Sequence, residues 1–259
     1  MRISNHLNKA FRILRRNYGC PGVDSLSYKT IKQNFSEHRQ SLAVLLDSGT
    51  FNFSEPRKSF INTGITTPKV REIFVYNIYD RWVQETIRIE LNNHLNKFMH
   101  PHVYSYIRGK NRRQAFEYIL KCEPRYILIL DLKDFSGSII VSKLFNMLRK
   151  VNVPDDLLDM IDKSIKHTDK GLPKGNSITS VLSNYYLSSI DRLFPTNYCR
   201  FSDDLVFGMT SKKQQKDIHK LLIPVLSELG LELNQEKIKC IENNGTLNII
   251  NEYPWIINS

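Results

Sequence analysis

Two adjacent carboxylates, Asp203 and Asp204, stand between the short apolar segments 197–201 and 205–208. Like charges this close repel each other, and neither side chain has an obvious partner in the local sequence. The flanking segments predict two short β-strands, so the acids fall at or near a hairpin turn. A hairpin with two carboxylates calls for a cation, and hard oxygen ligands favour Mg²⁺. A solvated Ser-Asp-Asp turn is the alternative interpretation of this segment alone.

A third acid, Asp131, ends the continuous apolar run 125–131. Such a run predicts a strand buried on both faces, with its terminal acid at the rim of a cleft. Three carboxylates from two strands could hold two divalent ions roughly 3.5–4 Å apart, as in nucleotidyl transfer. Taken alone, Asp131 is better explained as a cap of the turn that follows the strand.

A loop punctuated by glycine and proline covers residues 171–177 and leads into a predicted helix from Ile178 to about Phe194. Glycine allows a ligand to approach the backbone closely, and a helix start offers free N–H groups to an anion. The glycine-lysine spacing of a phosphate-binding P-loop does not occur in the sequence.

Several segments together resemble one family. LDLKDF, GLPKGNSITSVLSNYYL, RFSDDLVFG and LGLELNQEKIK occur in the order and spacing of the palm motifs of reverse transcriptases. Upstream, PGVDSLSY and KVREIFVYNIYDRWVQ resemble finger motifs of bacterial reverse transcriptases of the group II intron type, and HVYSYIRGKNRRQAF resembles their finger–palm segment. The resemblance spans roughly residues 8–240.

The resemblance implies an α+β, right-hand polymerase fold with a small antiparallel palm sheet and packed helices. It places the fingers in residues 1–123 and the palm in residues 124–259. Relatives usually continue into a helical thumb, which is not evident here. Three alternatives stay open: the thumb is absent, a protein subunit or self-association supplies its role, or the sequence is truncated. The alternation of helical and strand patterns along the chain agrees with the α+β class.

Site residues follow from the same resemblance. Asp131, Asp203 and Asp204 match the catalytic metal-binding acids, for two Mg²⁺ ions that Mn²⁺ can replace. The positions matched to nucleotide binding are Lys69, Arg71, Leu132, Phe135, Ser136, Gly171, Pro173, Gly175 and Lys237. A surface salt-bridge role is the alternative for the three basic residues among them.

The sequence departs from the family pattern at several positions. Phe201 replaces the usual tyrosine before the acids, and Lys174 replaces the glutamine of the loop. The usual later Ser-Pro pair is replaced by Thr179 and Ser180. Ser136 stands where the family carries a large aromatic against the sugar, which puts the choice between deoxynucleotides and ribonucleotides in doubt. None of these changes removes a metal ligand.

The charge balance favours a polyanionic partner. The 259 residues carry a formal net charge of +11, which suits nucleic acid. Tyr104 and Tyr106 adjoin a basic cluster predicted to bind nucleic acid by stacking or backbone contacts, with a solvated helix start as the alternative. The cluster consists of Arg108, Lys110, Arg112 and Arg113.

Other classes of protein are disfavoured. No run approaches the ~18–20 apolar residues of a membrane span, so no membrane partner is expected. The four scattered cysteines form no C-x-x-C pair, which indicates reduced thiols in a cytoplasmic protein. His100 and His102 could bind a transition metal, but no third ligand lies nearby in sequence, so we favour a structural role.

The predicted function is an RNA-directed DNA polymerase that extends a primer on an RNA template by two-metal-ion catalysis. One metal lowers the pKa of the primer hydroxyl and the other stabilises the leaving oxygens. Expected partners are the RNA template, the primer, the DNA product and a noncoding RNA, in anti-phage defence or a domesticated retroelement. Two alternatives stay open: a template-independent or ribonucleotide-using polymerase, and an inert nucleic-acid-binding subunit.

Overall fold

The computed structural model describes residues 3–15, 22–62 and 70–243. The chain divides into two compact units. The first unit comprises Met1–Asn96 and Leu144–Leu182, and the second comprises Lys97–Lys143 and Ser183–Ser259. The boundary between residues 123 and 124 that the sequence suggested stays a prediction.

The described residues form runs of helices separated by one or two strands. The helices are α1 Leu7–Leu14, α2 Tyr28–Gln33, α3 Phe35–Asp47, α4 Ile78–Leu95, α5 Arg112–Lys121, α6 Phe135–Ser138, α7 Val141–Lys150, α8 Asp155–Ile165, α9 Thr179–Tyr186, α10 Ser188–Leu193 and α11 Gln214–Leu229. The strands are β1 Arg57–Asn62, β2 Val70–Val75, β3 Tyr126–Asp131, β4 Tyr198–Phe201, β5 Asp204–Met209 and β6 Lys239–Glu242. Short 3₁₀ helices cover Ile3–His6, Asn96–Phe98 and Gln235–Lys237.

The core of the first unit forms where α1 packs against α4. Leu7, Phe11 and Leu14, which the sequence pattern places on one face of a helix, are all buried. The Phe11 ring lies 4.6 Å from the ring of Trp82, centroid to centroid, and Trp82 is fully buried. Its indole N–H donates to the Leu7 carbonyl at 2.8 Å, so the polar atom of this large side chain is satisfied inside the core.

The second unit is built on a four-stranded antiparallel sheet with the order β4-β5-β3-β6. Because side chains alternate along a strand, Ile127, Ile129 and Asp131 share one face. That face carries the apolar side of α5: Ala115, Phe116 and Ile119 pack against the sheet residues Ile127, Ile129, Cys199 and Val206. The same face that forms a core along its length therefore ends in a carboxylate.

The opposite face of this sheet is also buried. Tyr198 and Phe207, which are partners in the β4–β5 register, lie with ring centroids 5.0 Å apart. The Phe207 ring also meets Phe194 edge-on at 4.8 Å. Burial on both faces explains why the β3 sequence is apolar at every position before Asp131.

The α+β class expected from the sequence is confirmed, and so are the strands that flank the two acids. One continuous helix from Ile178 to about Phe194 was a wrong prediction, since Leu187 separates α9 from α10. The Leu187 carbonyl accepts from the N–H of Ile190 at 3.0 Å, a three-residue spacing that tightens the chain at this point. The sequence also predicts a short strand at 246–250, a segment that lies outside the described residues.

Candidate active site

The strand register brings two of the three candidate acids together. Asp131, the last residue of β3, is the direct partner of Asp204, the first residue of β5. Residues directly opposite in an antiparallel pair have Cβ atoms about 4.5–5.5 Å apart and project on the same face. The two carboxylates therefore share one end of the sheet, on the face that α5 covers.

The third acid, Asp203, lies in the two-residue turn between β4 and β5. Phe201 and Asp204 are paired across this turn, with Ser202 and Asp203 between them. Ser202 has φ +60°, a left-handed conformation that is uncommon for any residue other than glycine. Asp203 is thus placed next to Asp204 by a tight and strained turn.

Asp131 is surrounded by the segment that follows α11. The N–H of Asn234 donates to the Asp131 carbonyl at 2.8 Å, and the Asn234 side-chain amide donates to Asp131 Oδ2 at 3.3 Å. The 3₁₀ helix Gln235–Lys237 then turns the chain back, so that Lys237 Nζ lies 2.7 Å from the same oxygen. The side chain of Lys237 is 46% exposed and that of Asp131 only 13%.

Asp204 is paired with the first residue of α5. Asn111 caps this helix in a reciprocal pair with Gln114, which fixes Arg112 at the first helical position. Arg112 Nη2 lies 2.5 Å from Asp204 Oδ2, and its guanidinium lies 4.8 Å from the centre of the Phe201 ring. The aromatic residue before the acids therefore contacts a cation through its ring, a role that needs no tyrosine hydroxyl.

Electrostatics at Asp204 oppose its ionisation. Burial raises the pKa of Asp204 to about 6, Arg112 lowers it, and the charges of Asp203 and Asp131 raise it. A carboxyl group with this pKa binds a proton in the folded protein that the unfolded chain releases at lower pH. The ionised form thus carries a cost that a bound cation would reduce.

A stability measurement can test this cost. Between about pH 4 and pH 6 the folded state binds more protons than the unfolded chain, so Asp204 lowers the free energy of unfolding as pH rises through this window. In EDTA above pH 6 we expect Asp204→Asn to unfold at a higher temperature than the wild type, with a free energy of unfolding that is larger by at most about 3 kcal/mol. Thermal unfolding followed by circular dichroism from pH 4 to pH 8 measures the difference, which should vanish near pH 4. A difference that does not change with pH contradicts the assignment.

The chemistry of these donors suits a hard divalent cation. Within the described ranges, no three acidic, imidazole or thiol groups form a ready-made cluster for a metal ion. Arg112 and Lys237 instead neutralise Asp204 and Asp131. The carboxylate oxygens and the raised pKa of Asp204 fit Mg²⁺ or Mn²⁺, provided these two cationic side chains give way.

The segment after Asp131 holds three of the residues expected to bind the nucleotide. Leu132 and Phe135 are buried, at 2% and 6% exposure, whereas Ser136 is half-buried on α6. Asp134 adopts φ +36° at the start of this helix, and a Cβ on Gly137 would lie only 2.4 Å from the Asp134 carboxylate. The structure therefore leaves Ser136 more accessible than Phe135, on a tightly turned segment.

The remaining nucleotide-binding candidates belong to the first unit or lie outside the described residues. Lys69 is outside them, and Arg71 is exposed on β2. Pro173 is buried, and its carbonyl accepts from the Thr179 hydroxyl at 2.8 Å.

The glycine loop is fixed closely to β2 within the first unit. The Phe74 N–H donates to the Lys174 carbonyl at 2.8 Å. Gly175 has φ +102°, and a Cβ there would lie 2.3 Å from the Phe74 carbonyl oxygen. Gly171 also adopts a positive φ, of 57°. Glycine at position 175 is therefore explained by this backbone contact, whatever the loop binds.

The basic cluster of the second unit divides into two kinds of residue. Arg112 pairs with Asp204, and Lys110 donates to the carbonyls of Pro101 and Val103, the latter at 3.1 Å. Arg113 pairs with Glu117 on the exposed side of α5, and Arg108 is exposed. Of the four basic residues, Arg108 and Arg113 are the exposed ones.

The two histidines have aromatic neighbours in the second unit. The rings of His100 and His102 lie 5.3 Å apart, and His102 stacks on Tyr118 at 3.8 Å. The backbone of His102 also pairs with β4, where its carbonyl accepts from the N–H of Arg200. These contacts support the structural role over the metal site.

Sequence reasoning missed two polar residues. Asn234, which contacts Asp131, lies in the segment LGLELNQEKIK, in which the sequence analysis pointed only to Lys237. Arg200, a cation in an apolar strand, is fully buried beneath the acid turn. A charged residue at an inward-facing strand position is a signal that the sequence did contain, since such a residue needs a buried partner.

A comparison with known protein families identifies the family of this chain. A family model described as "Reverse transcriptase (RNA-dependent DNA polymerase)" matches residues 57–249. No curated protein sequence matches the chain.

Solved telomerase structures share the fold. The chain resembles apo telomerase from Candida tropicalis with a TM-score of 0.55 at 13% identity, covering 74% of this chain and 44% of that one. It also resembles telomerase from Candida albicans in complex with a fragment of telomeric RNA, with a TM-score of 0.53 at 11% identity, covering 85% and 47%. The chain thus spans about half the length of these relatives and shares their fold.

Among the helices in the described ranges, none is long and apolar enough to cross a membrane.

The family match covers most of the chain, and the paired acids Asp131 and Asp204 lie inside the matched region. The chain belongs to the reverse transcriptase family.

Proposed function

We propose that this protein is an RNA-directed DNA polymerase that extends a primer, with Asp131, Asp203 and Asp204 as its catalytic acids. The observation that carries the proposal is the register of β3 and β5, which sets Asp131 directly opposite Asp204 beside the turn that holds Asp203. Membership of the reverse transcriptase family supplies the reaction class.

Each group at this end of the sheet has a role in the proposal. The acids would hold two divalent ions, which supply charge stabilisation to the attacking and leaving oxygens. Lys237, flexible and 46% exposed, would leave Asp131 and neutralise charge on the leaving pyrophosphate. Asn234, held through its own backbone, would keep Asp131 oriented meanwhile. Arg71, Gly171, Pro173 and Gly175, together with Lys69, stay proposed contacts of the incoming nucleotide.

We also propose a bacterial reverse transcriptase of the group II intron type, acting in anti-phage defence or as a domesticated retroelement. The departures at Lys174 and Ser136 support a specialised role over general replication. The proposed partners are an RNA template, a primer, a noncoding RNA, and a protein subunit or second copy. Sequencing the nucleic acid that co-purifies with the protein tests this setting, and random cellular RNA would argue against it.

A second candidate is a nucleic-acid-binding subunit without turnover. The ion pairs Arg112–Asp204 and Lys237–Asp131 favour it, because they neutralise two of the acids without any metal. Labelled dNTPs and rNTPs, offered with and without template–primer in Mg²⁺ or Mn²⁺, separate the candidates. Template-dependent dNTP incorporation supports the polymerase, template-free addition supports a terminal transferase, and nucleic-acid binding without incorporation supports the inert subunit.

The exposed arginines of the second unit give a further prediction. Each phosphate neutralised by a cation releases counterions, so affinity falls steeply with salt. We expect Arg108→Gln with Arg113→Gln to flatten the slope of log affinity against log salt by about 1–2. Fluorescence anisotropy with a labelled RNA–DNA duplex from 50 to 300 mM KCl measures the slope. Lys29→Gln with Lys32→Gln, exposed on α2, removes equal charge and should change it less. Equal effects of the two pairs of substitutions would indicate that Arg108 and Arg113 are ordinary solvated surface residues without a specific contact to nucleic acid.

A further inference from the structure

A buried ionic network lies directly beneath the acid turn. Arg200 is fully buried in β4, and Asp191, on α10, is fully buried beside it. Arg200 Nε and Nη2 donate to the two carboxylate oxygens of Asp191, each at 2.8 Å. The Tyr198 hydroxyl donates to Asp191 Oδ1 at 2.7 Å. The Asp191 carboxylate therefore binds both Tyr198 and Arg200, which lie two positions apart on the same face of β4.

The third nitrogen of the guanidinium reaches the turn itself. Arg200 Nη1 donates to the Ser202 carbonyl at 3.0 Å and to Asn184 Oδ1 at 3.0 Å. Nη2 adds a contact to the Asn184 carbonyl at 3.2 Å. The Ser202 carbonyl belongs to the peptide group that joins Ser202 to Asp203. Because this group is planar, the guanidinium that binds the carbonyl also fixes the orientation of the Asp203 N–H and Cα.

This arrangement is costly for the fold alone. Removing two charges from water carries a penalty of several kcal/mol per ion, and apolar residues of similar volume often serve stability as well. Ser202 adds backbone strain through its φ of +60°. The Arg200 guanidinium links the buried ion pair to the strained turn. It binds the Ser202 carbonyl and is itself held by Asp191 and Asn184.

We propose that Arg200 is a positioning residue, which, braced by Asp191, orients the Ser202–Asp203 turn so that Asp203 and Asp204 can share divalent ions. The expected effect on metal binding and turnover rests on the proposed polymerase function, whereas the fixing of the turn rests on the contacts of Arg200 described above. Arg200 would act through the backbone of the turn and would touch neither metal nor substrate.

The test compares two variants with the wild type. Arg200→Lys keeps the charge, but its single ammonium cannot span Asp191 and the Ser202 carbonyl as the planar fork does. The double variant Arg200→Met with Asp191→Leu removes the buried charges together and fills their volume with apolar atoms. Asp217→Asn, at an exposed position on α11, is the control. Circular dichroism establishes that each variant is folded before it is compared.

Three readouts separate positioning from simple stability. Hydrogen exchange of a peptide covering residues 201–204 should speed up at least tenfold in both variants, while a peptide from β3 stays protected. Mn²⁺ affinity, measured by electron paramagnetic resonance, should fall at least tenfold. The turnover number for dNTP incorporation should fall at least a hundredfold, while KM for the nucleotide changes less than threefold.

Each outcome decides the matter. A folded variant with unchanged exchange at 201–204 and unchanged Mn²⁺ affinity overturns the proposal, and so does failure of both variants to fold, which would make the network a folding element. If the wild type binds no Mn²⁺ and incorporates no nucleotide, the polymerase function fails, and hydrogen exchange still reports whether Arg200 fixes the turn.

Discussion

Nucleotide incorporation is expected to be lost when Asp131 or Asp203 is replaced by asparagine. Each substitution removes one charge from the proposed metal ligands while keeping the size of the side chain. Losing stabilisation of the transition state by a metal ion should raise the barrier by several kcal/mol, and each 1.4 kcal/mol is about tenfold in rate. We therefore expect a loss of at least about 10³-fold in primer extension at saturating nucleotide.

Binding measurements make this result specific. Affinity for the RNA–DNA duplex, followed by fluorescence anisotropy, should change less than about threefold, since the acids do not bind the phosphates directly. Asp217→Asn, an exposed acid on α11, should extend primers at the wild-type rate. Incorporation within tenfold of the wild type by either variant would show that the metal assignment is wrong.

Weak rejection of ribonucleotides is the second expected result, and its basis is Ser136. The half-buried serine follows the buried Phe135 on the short helix after Asp131. A large aromatic at position 136 would collide with a ribose 2′-hydroxyl, whereas serine leaves space and can hydrogen-bond to it. We expect Ser136→Phe to increase the preference for dNTP over rNTP by about ten- to a hundredfold, which corresponds to about 1.4–2.8 kcal/mol.

Single-nucleotide incorporation with matched dNTP and rNTP measures this preference as a ratio of kcat/KM values. Ser136→Ala is the control, because it changes the hydroxyl but adds no bulk. The alternative is that Phe135, not Ser136, is the gate that excludes the ribose 2′-hydroxyl, and Phe135→Leu tests it. Because Phe135 is buried, leucine disturbs the core less than alanine would. Strong rejection of rNTP by the wild type that is lost in Phe135→Leu would make Phe135 the gate and rule out Ser136.

The local pattern of the sequence was sufficient for the three strands that carry or flank the acids. An apolar run predicted β3, and two short apolar segments around the acids predicted β4 and β5. These strands depend on hydrophobicity and side-chain alternation within a few residues, which are properties of neighbouring residues. The family motifs added the identity of the three acids, because their order along the chain is itself information.

The tertiary structure decided which residues meet. Asp131 and Asp204 become partners only through the register of two strands from distant parts of the chain. Arg112 reaches Asp204 across 92 positions, and Lys237 reaches Asp131 across 106. The anchoring of the turn by Arg200 likewise needs α10 to be packed beneath β4. No local pattern contains these contacts, because register and packing are set by burial over the whole sheet, and they determine which charges the acids face.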